Sequence, residues 1–164
     1  MADNIKIKKT ESLESILSRL QKIITAKQLK TSKQREHILE LIYYNSKTHL
    51  SPEEITNGLK KDNKDSSLSS VYRILQFLET YGFLTSIETK GGKRYEIAAK
   101  EHHYHIICLS CGNIIEFIDD DIRQKQFDIA KTLKCEPISD NLRLFVLCEK
   151  CLNKSKKDTK SLIY

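Results

Sequence analysis

The chain has 164 residues, 39% of them hydrophobic, with 28 Lys and Arg against 22 Asp and Glu, five Cys, five His and no Trp. That length makes one ordinary domain or two small ones and is cramped for a large barrel or a doubly wound enzyme. Apolar runs such as Ile106-Ile107-Cys108-Leu109 fall far short of the roughly 20 residues that span a bilayer, and Met1-Ala2-Asp3-Asn4 leads into a Lys-rich stretch without a secretory apolar core.

Leu13, Ile16, Leu17, Leu20, Ile23 and Ile24 keep helical spacing and predict an amphipathic helix over Glu11–Lys27. A second helix is predicted over Lys33–Tyr44, burying Ile38, Leu41 and Ile42. Ser51-Pro52-Glu53-Glu54 combines a capping serine, a proline at the first helical position and a glutamate that completes a capping box, so a third helix starts there and runs to Lys60. Ser66 or Ser67 caps a fourth through Thr80, with Val71, Ile74, Leu75 and Leu78 inward and Gly82 ending it. Its outer face carries Ser69, Ser70, Tyr72, Arg73 and Gln76. Two short strands, Phe83–Glu88 and Arg94–Ile97, flank Thr89-Lys90-Gly91-Gly92-Lys93, a glycine turn with basic residues Lys90 and Lys93 at its tip.

Three helices followed by a basic-tipped hairpin is the order of a winged helix-turn-helix, in which the last helix enters the DNA major groove and the wing touches backbone. A small helical bundle without a nucleic-acid role fits the same pattern. Residues 1 to 97 hold 17 Lys and Arg against 12 Asp and Glu, and the hydroxyls, amide and guanidinium of the fourth helix are groups that position phosphates or read base edges, which favours DNA.

Beyond residue 97 come β-like runs at His103–Leu109, Asn113–Phe117 and Leu142–Leu147, with a helix at Asp119–Leu133 whose first turn is rich in Asp. Residues 98 to 153 hold 7 basic against 9 acidic residues, and the tail holds 4 against 1. The expected class is α+β: an N-terminal winged helix-turn-helix domain (1–97, with an extra first helix), a hinge (98–101), a small α/β dimerisation domain (102–152) and a basic tail (153–164). Residues 1 to 9 and the tail are expected to fray.

All five Cys follow residue 107. In a reducing cytoplasm, the compartment these exclusions point to, paired Cys read as metal ligands rather than disulfides. Cys108-Leu109-Ser110-Cys111 and Cys148-Glu149-Lys150-Cys151 are two CxxC turns, enough thiolates for one closed tetrahedral zinc site; a redox pair or chance spacing are the rivals. Cys135 is left over as a buried or half-buried thiol. In His102-His103-Tyr104-His105, an extended strand puts His103 and His105 on one face, able to chelate together, and His102 and Tyr104 on the other. Surface histidines have the same look. No HExxH is present to support a zinc protease.

These residues, in this order, resemble the Fur family of metal-responsive transcriptional repressors, most closely its iron branch. The likeness covers about residues 29 to 152 and lies in Lys33-Gln34-Arg35, Ser70-Val71-Tyr72-Arg73-Ile74-Leu75, His102-His103-Tyr104-His105 and both CxxC pairs. It implies a regulatory site on His49, Glu96, His103 and His105, placed through Thr48-His49-Leu50-Ser51 and Tyr95-Glu96-Ile97. Such imidazole and carboxylate donors accept Fe(II), Mn(II), Co(II) and Zn(II), with zinc the tighter binder over iron. Fe(II) is then the expected corepressor, with Zn(II) or Mn(II) able to substitute in vitro, beside one structural zinc per chain. A further family site falls on His102, Tyr104, Arg123 and Asp140; Arg123 cannot ligate a cation, so this site is expected to be metal-free, with Arg123 paired to Asp140. The DNA-binding residues implied are Ser69, Ser70, Tyr72, Arg73, Gln76, Lys30, Arg35, Lys90 and Lys93. The partners implied are a double-stranded, palindromic, A/T-rich operator and a second copy of the chain, as a dimer or a higher oligomer on DNA. The expected function is iron-dependent control, mainly repression, of iron-uptake and iron-homeostasis genes, without enzymatic activity. Peroxide or zinc sensing within the family, a zinc-dependent hydrolase and a DNA-free partner-binding module are the alternatives. Peroxide sensors usually have Asp in place of Glu96, and zinc sensors usually have a regulatory Cys.

Overall fold

The computed structural model describes residues 11–46, 48–64, 66–98 and 102–154. Residues 1–9, residues 99–101 of the expected hinge and the tail beyond Lys154 lie outside the described residues. The chain divides into two compact units, with the division falling after residue 101.

The first unit has four helices, α1 (Leu13–Ala26), α2 (Lys33–Tyr44), α3 (Pro52–Lys61) and α4 (Leu68–Thr80), and a hairpin of β1 (Leu84–Thr89) and β2 (Gly92–Ile97). Helix starts follow local chemistry. The Ser12 and Ser67 side chains cap α1 and α4, and Ser51 and Glu54 close a reciprocal capping box on α3. Gly82, at φ +69°, takes the chain out of α4 through a conformation that a Cβ disfavours. Gly58 sits within α3 for a different reason: a Cβ there would lie 2.8 Å from Leu41 Cδ2, so the missing methyl lets α3 close on α2.

One apolar core joins Ile16, Leu20 and Ile24 of α1 to Ile38, Leu39 and Ile42 of α2, Ile55 and Leu59 of α3, Leu75 and Leu78 of α4, and Phe83 beside the hairpin. Each such side chain contributes about 1.5–3 kcal/mol by leaving water. Leu39 rather than Leu41 takes the fully buried place expected on α2, because Leu41 fills the half-covered strip against Gly58. The hairpin turn is tighter than the expected five-residue loop. Pairing runs from Leu84↔Ile97 to Thr89↔Gly92, leaving Lys90 and Gly91 at the tip. Leu50 adds an antiparallel bridge to Tyr95, with Leu50 N–H donating to Tyr95 O at 3.1 Å and Tyr95 N–H to Leu50 O at 2.9 Å.

The second unit has β3 (Tyr104–Cys108), β4 (Ile114–Phe117), α5 (Asp120–Thr132) and β5 (Arg143–Val146). Its sheet has the order β4-β3-β5: β4 returns antiparallel beside β3, whereas β5 arrives parallel after the α5 crossover. Tyr104, Ile107 and Cys108 of the central strand are buried, while α5 buries no residue fully. Ile115, Leu144 and Phe145 on the flanking strands are about half exposed, as is Ile129 on α5.

Candidate metal centres and nucleic-acid face

The four sulfurs of Cys108, Cys111, Cys148 and Cys151 lie within 4.8 Å of one another. Local folding brings them together: Cys108 ends β3, a turn closed by Gly112 N–H to Cys108 O (2.9 Å) presents Cys111, and the helical turn after β5 presents Cys148 and Cys151. Thiolates about 2.3 Å from a tetrahedral ion stand roughly 3.8 Å apart. Cys111 Sγ and Cys148 Sγ are 3.8 Å apart, the spacing of two thiolates on one zinc ion. Within the cluster the Cys108 thiol is pulled down to about 6 by backbone N–H groups of Cys148, Cys111 and Ser110. Cys151, despite a lowering hydrogen bond from Ser110, is pushed up to about 11 by the neighbouring sulfurs and burial, so Cys108 is the first to become a thiolate. Cys135 stands apart and, against expectation, is exposed, because it follows the left-handed turn at Lys134 where α5 has already ended on the surface.

The residues expected to hold the regulatory ion are divided between the units. In the first unit His49 Nε2 stands 3.5 Å from Glu96 Oε2, both side chains 4% exposed, and Thr85 Oγ1 donates to Glu96 Oε1 at 3.3 Å. The Leu50–Tyr95 bridge draws residue 49 beside the end of β2. In the second unit the His103 and His105 rings lie 4.7 Å apart at 75°. The β3–β4 register sets Glu116 directly opposite His105, a carboxylate that reading the histidines alone passes over. The signal for it lies in strand pairing, since facing residues on adjacent antiparallel strands share one side of the sheet.

The other face of this segment behaves differently. Asp140 Oδ2 accepts from Tyr104 OH at 3.0 Å, lies 2.9 Å from His102 Nε2 and 3.7 Å from Arg123 Nε. The residues expected to form a metal-free remnant therefore converge on one carboxylate oxygen, with Arg123 the most distant and 46% exposed. Burial first, and the Asp140 bond next, push the Tyr104 phenol up to about 12, so it stays a donor. His102 is held below its ordinary value chiefly by burial, against the opposing pull of Asp140.

On α4, Ser69, Tyr72, Arg73 and Gln76 are exposed and Ser70 is half-covered. A hollow of about 260 Å³ between the start of α2 and α4 is lined by Ser32, Gln34, Arg35, Ser70 and Arg73. Arg35 lies over the Phe77 ring at 4.4 Å and donates to Lys30 O at 2.7 Å; Ser32 leaves the α2 N-terminus without a side-chain cap bond. A shallower groove between α4 and β2 reaches Lys93, which lies 3.7 Å from Glu79, while Lys90 marks the hairpin tip. Lys30 is exposed just before α2. Tyr72 does not project freely: its hydroxyl donates to Glu53 on α3 at 3.3 Å.

Residues 26–145 match the model of the Ferric uptake regulator family. The chain belongs to the ferric uptake regulator family. It is similar to the ferric uptake regulation protein of Helicobacter pylori, 52% identical over 146 residues that cover 88% of this chain and 97% of that one. A solved structure of the H. pylori ferric uptake regulator, with three functional metal binding sites in that protein, superposes with a TM-score of 0.81 at 51% identity, covering 89% of this chain and 97% of that one. The ferric uptake regulator of Francisella tularensis with iron superposes at 0.68, with 32% identity over 76% of this chain and 95% of that one. These likenesses support the α+β order of the winged-helix unit followed by the β4-β3-β5 unit. Among the described residues, no helix is long and apolar enough to cross a membrane.

Proposed function

We propose that the protein is a cytoplasmic, Fe(II)-dependent, DNA-binding transcriptional regulator, mainly a repressor, of iron-uptake and iron-homeostasis genes. The observation that carries this reading is the pair of half-sites in a chain of this family: His49 with Glu96 at the wing, and His103 with His105, joined by Glu116, on the second unit's sheet. An ion taking donors from both would supply a tie between the DNA-binding unit and the rest of the chain. Imidazole and carboxylate donors suit a ferrous ion and accept Mn(II) or Zn(II). The four cysteines serve a separate, structural zinc.

The second unit also offers a surface for another copy of the chain. Among the described residues strand β5 is a sheet edge, and Leu144, Phe145 and Leu147 near it are each about half exposed, apolar side chains that a second copy would cover. Two-fold pairing there would present two α4 helices, so the operator is a pseudo-palindrome read by Ser69, Ser70, Tyr72, Arg73 and Gln76, with Lys30, Arg35, Lys90 and Lys93 on phosphates. The switch need not be strong. A preference of about 3 kcal/mol for the tied state raises apparent DNA affinity roughly a hundredfold. Anaerobic fluorescence anisotropy on an A/T-rich palindromic duplex should show that gain with Fe(II) over chelator-treated protein; equal affinity in the two conditions would overturn the reading.

A further inference from the structure

We propose that Arg94 is a positioning residue that clamps the His49–Glu96 half-site and ties it to the DNA-reading helices; the inference rests on the function proposed above. Arg94 and Glu96 are two apart on β2 and so share a face of the strand. Both grip residue 49. Glu96 meets the His49 ring (3.5 Å), and Arg94 Nη1 donates to the His49 carbonyl at 2.6 Å. Between them the Leu50–Tyr95 bridge fixes the next peptide, so the backbone that carries the imidazole is held from both sides.

The Arg94 guanidinium is also committed to α3. It pairs with both oxygens of Glu54, at 3.0 and 3.3 Å, and Glu54 Oε2 at the same time accepts Ser51 N–H at 2.8 Å, closing the capping box. The preceding residue of that first turn, Glu53, accepts the Tyr72 hydroxyl from α4. One planar, forked cation thus connects the carbonyl of a metal-ligand candidate to the start of α3, and the Tyr72–Glu53 bond carries the connection on to the face that would read DNA. A lysine ammonium lacks the fork needed to hold both Glu54 oxygens and the carbonyl in this plane.

The test uses full-length, zinc-loaded protein and Co(II) as probe of the regulatory site. Arg94→Gln should lower Co(II) affinity about tenfold, alter the Co(II) visible spectrum, and cut the ratio of DNA affinity with and without Co(II) about tenfold. Arg94→Lys should recover only part of each and serves if the glutamine variant folds poorly. Ile55→Val, which loosens the same helix without touching the clamp, should leave Co(II) affinity and spectrum unchanged. Wild-type affinity and spectrum in the folded Arg94 variants would overturn the proposal. If neither Fe(II) nor Co(II) raises the DNA affinity of the unaltered protein, the functional reading itself fails; if it responds and Arg94→Gln responds equally, only the clamp fails.

Discussion

Replacing Asp140 with Ala should destabilise the second unit more than an ordinary surface change. The carboxylate is 10% exposed and accepts from Tyr104, whose ring is fully buried, at 3.0 Å, and it stands 2.9 Å from His102. Hydrogen bonds to a charged group contribute roughly 1.5–3 kcal/mol, and an orphaned buried donor costs a comparable amount. Arg123, at 3.7 Å and 46% exposed, adds little because water screens it. A net loss of about 2–4 kcal/mol follows, or roughly 8–32 °C in Tm at about 4–8 °C per kcal/mol for a small domain. Differential scanning calorimetry at fixed protein concentration measures it. Adding Tyr104→Phe should restore part of the loss, since the orphaned hydroxyl is then gone. The alkaline limb carries the same signature. The Tyr104 contribution is complete below the ordinary tyrosine value near 10 and disappears as pH rises through about 12; burial, the larger cause, stays in Asp140→Ala, so that variant should make the limb shallower without removing it. A Tm shift within about 2 °C, or no recovery in the double variant, would refute the reasoning.

Three further outcomes follow from the same geometry. Anomalous scattering from crystals grown with Fe(II), Mn(II) or Zn(II) should find no ion among His102, Tyr104, Arg123 and Asp140; a peak there would overturn the metal-free reading of this cluster. Cys148→Ser should lose the zinc bound by the unaltered protein, read by elemental analysis, and melt residues 102–154 while leaving the core of α1 to α4 folded, read by amide exchange, because the remaining thiols cannot close a tetrahedron. Arg73→Ala should weaken operator binding about 10- to 100-fold, the worth of roughly 1–3 kcal/mol for a groove contact, without changing metal content; undiminished affinity would remove Arg73 from the interface.

The helices of the first unit were legible because their signals are local. The Lys33–Tyr44 bounds follow from apolar spacing alone, and Ser51-Pro52-Glu53-Glu54 marks its helix start through chemistry contained within four residues. The two CxxC turns were equally plain, since each turn places its own sulfurs. What depended on pairing between distant segments was not legible. Parallel β5 beside β3, the Leu50–Tyr95 bridge and Glu116 opposite His105 are set by register, which no short window contains. Arg94 escapes a local reading for the same reason: 40 residues separate it from Glu54, and its role exists only once β2 lies against the α3 N-terminus. Cys135 is exposed although a thiol is usually buried, because α5 leaves its outer surface and its C-terminal turn to solvent.

The central claim is that one ion draws donors from both units. Fe(II) dissociation constants and Fe(II)-dependent operator affinity, measured anaerobically for the unaltered protein, His49→Ala and His103→Ala, test it most directly. Each substitution lies in a different unit, and neither touches the four cysteines. The account predicts that both weaken Fe(II) binding at least tenfold and largely abolish the iron-dependent gain in DNA affinity, with zinc content and dimer mass unchanged. If either variant binds Fe(II) and responds to it as the unaltered protein does, the ion is held by one unit alone and the claim is contradicted.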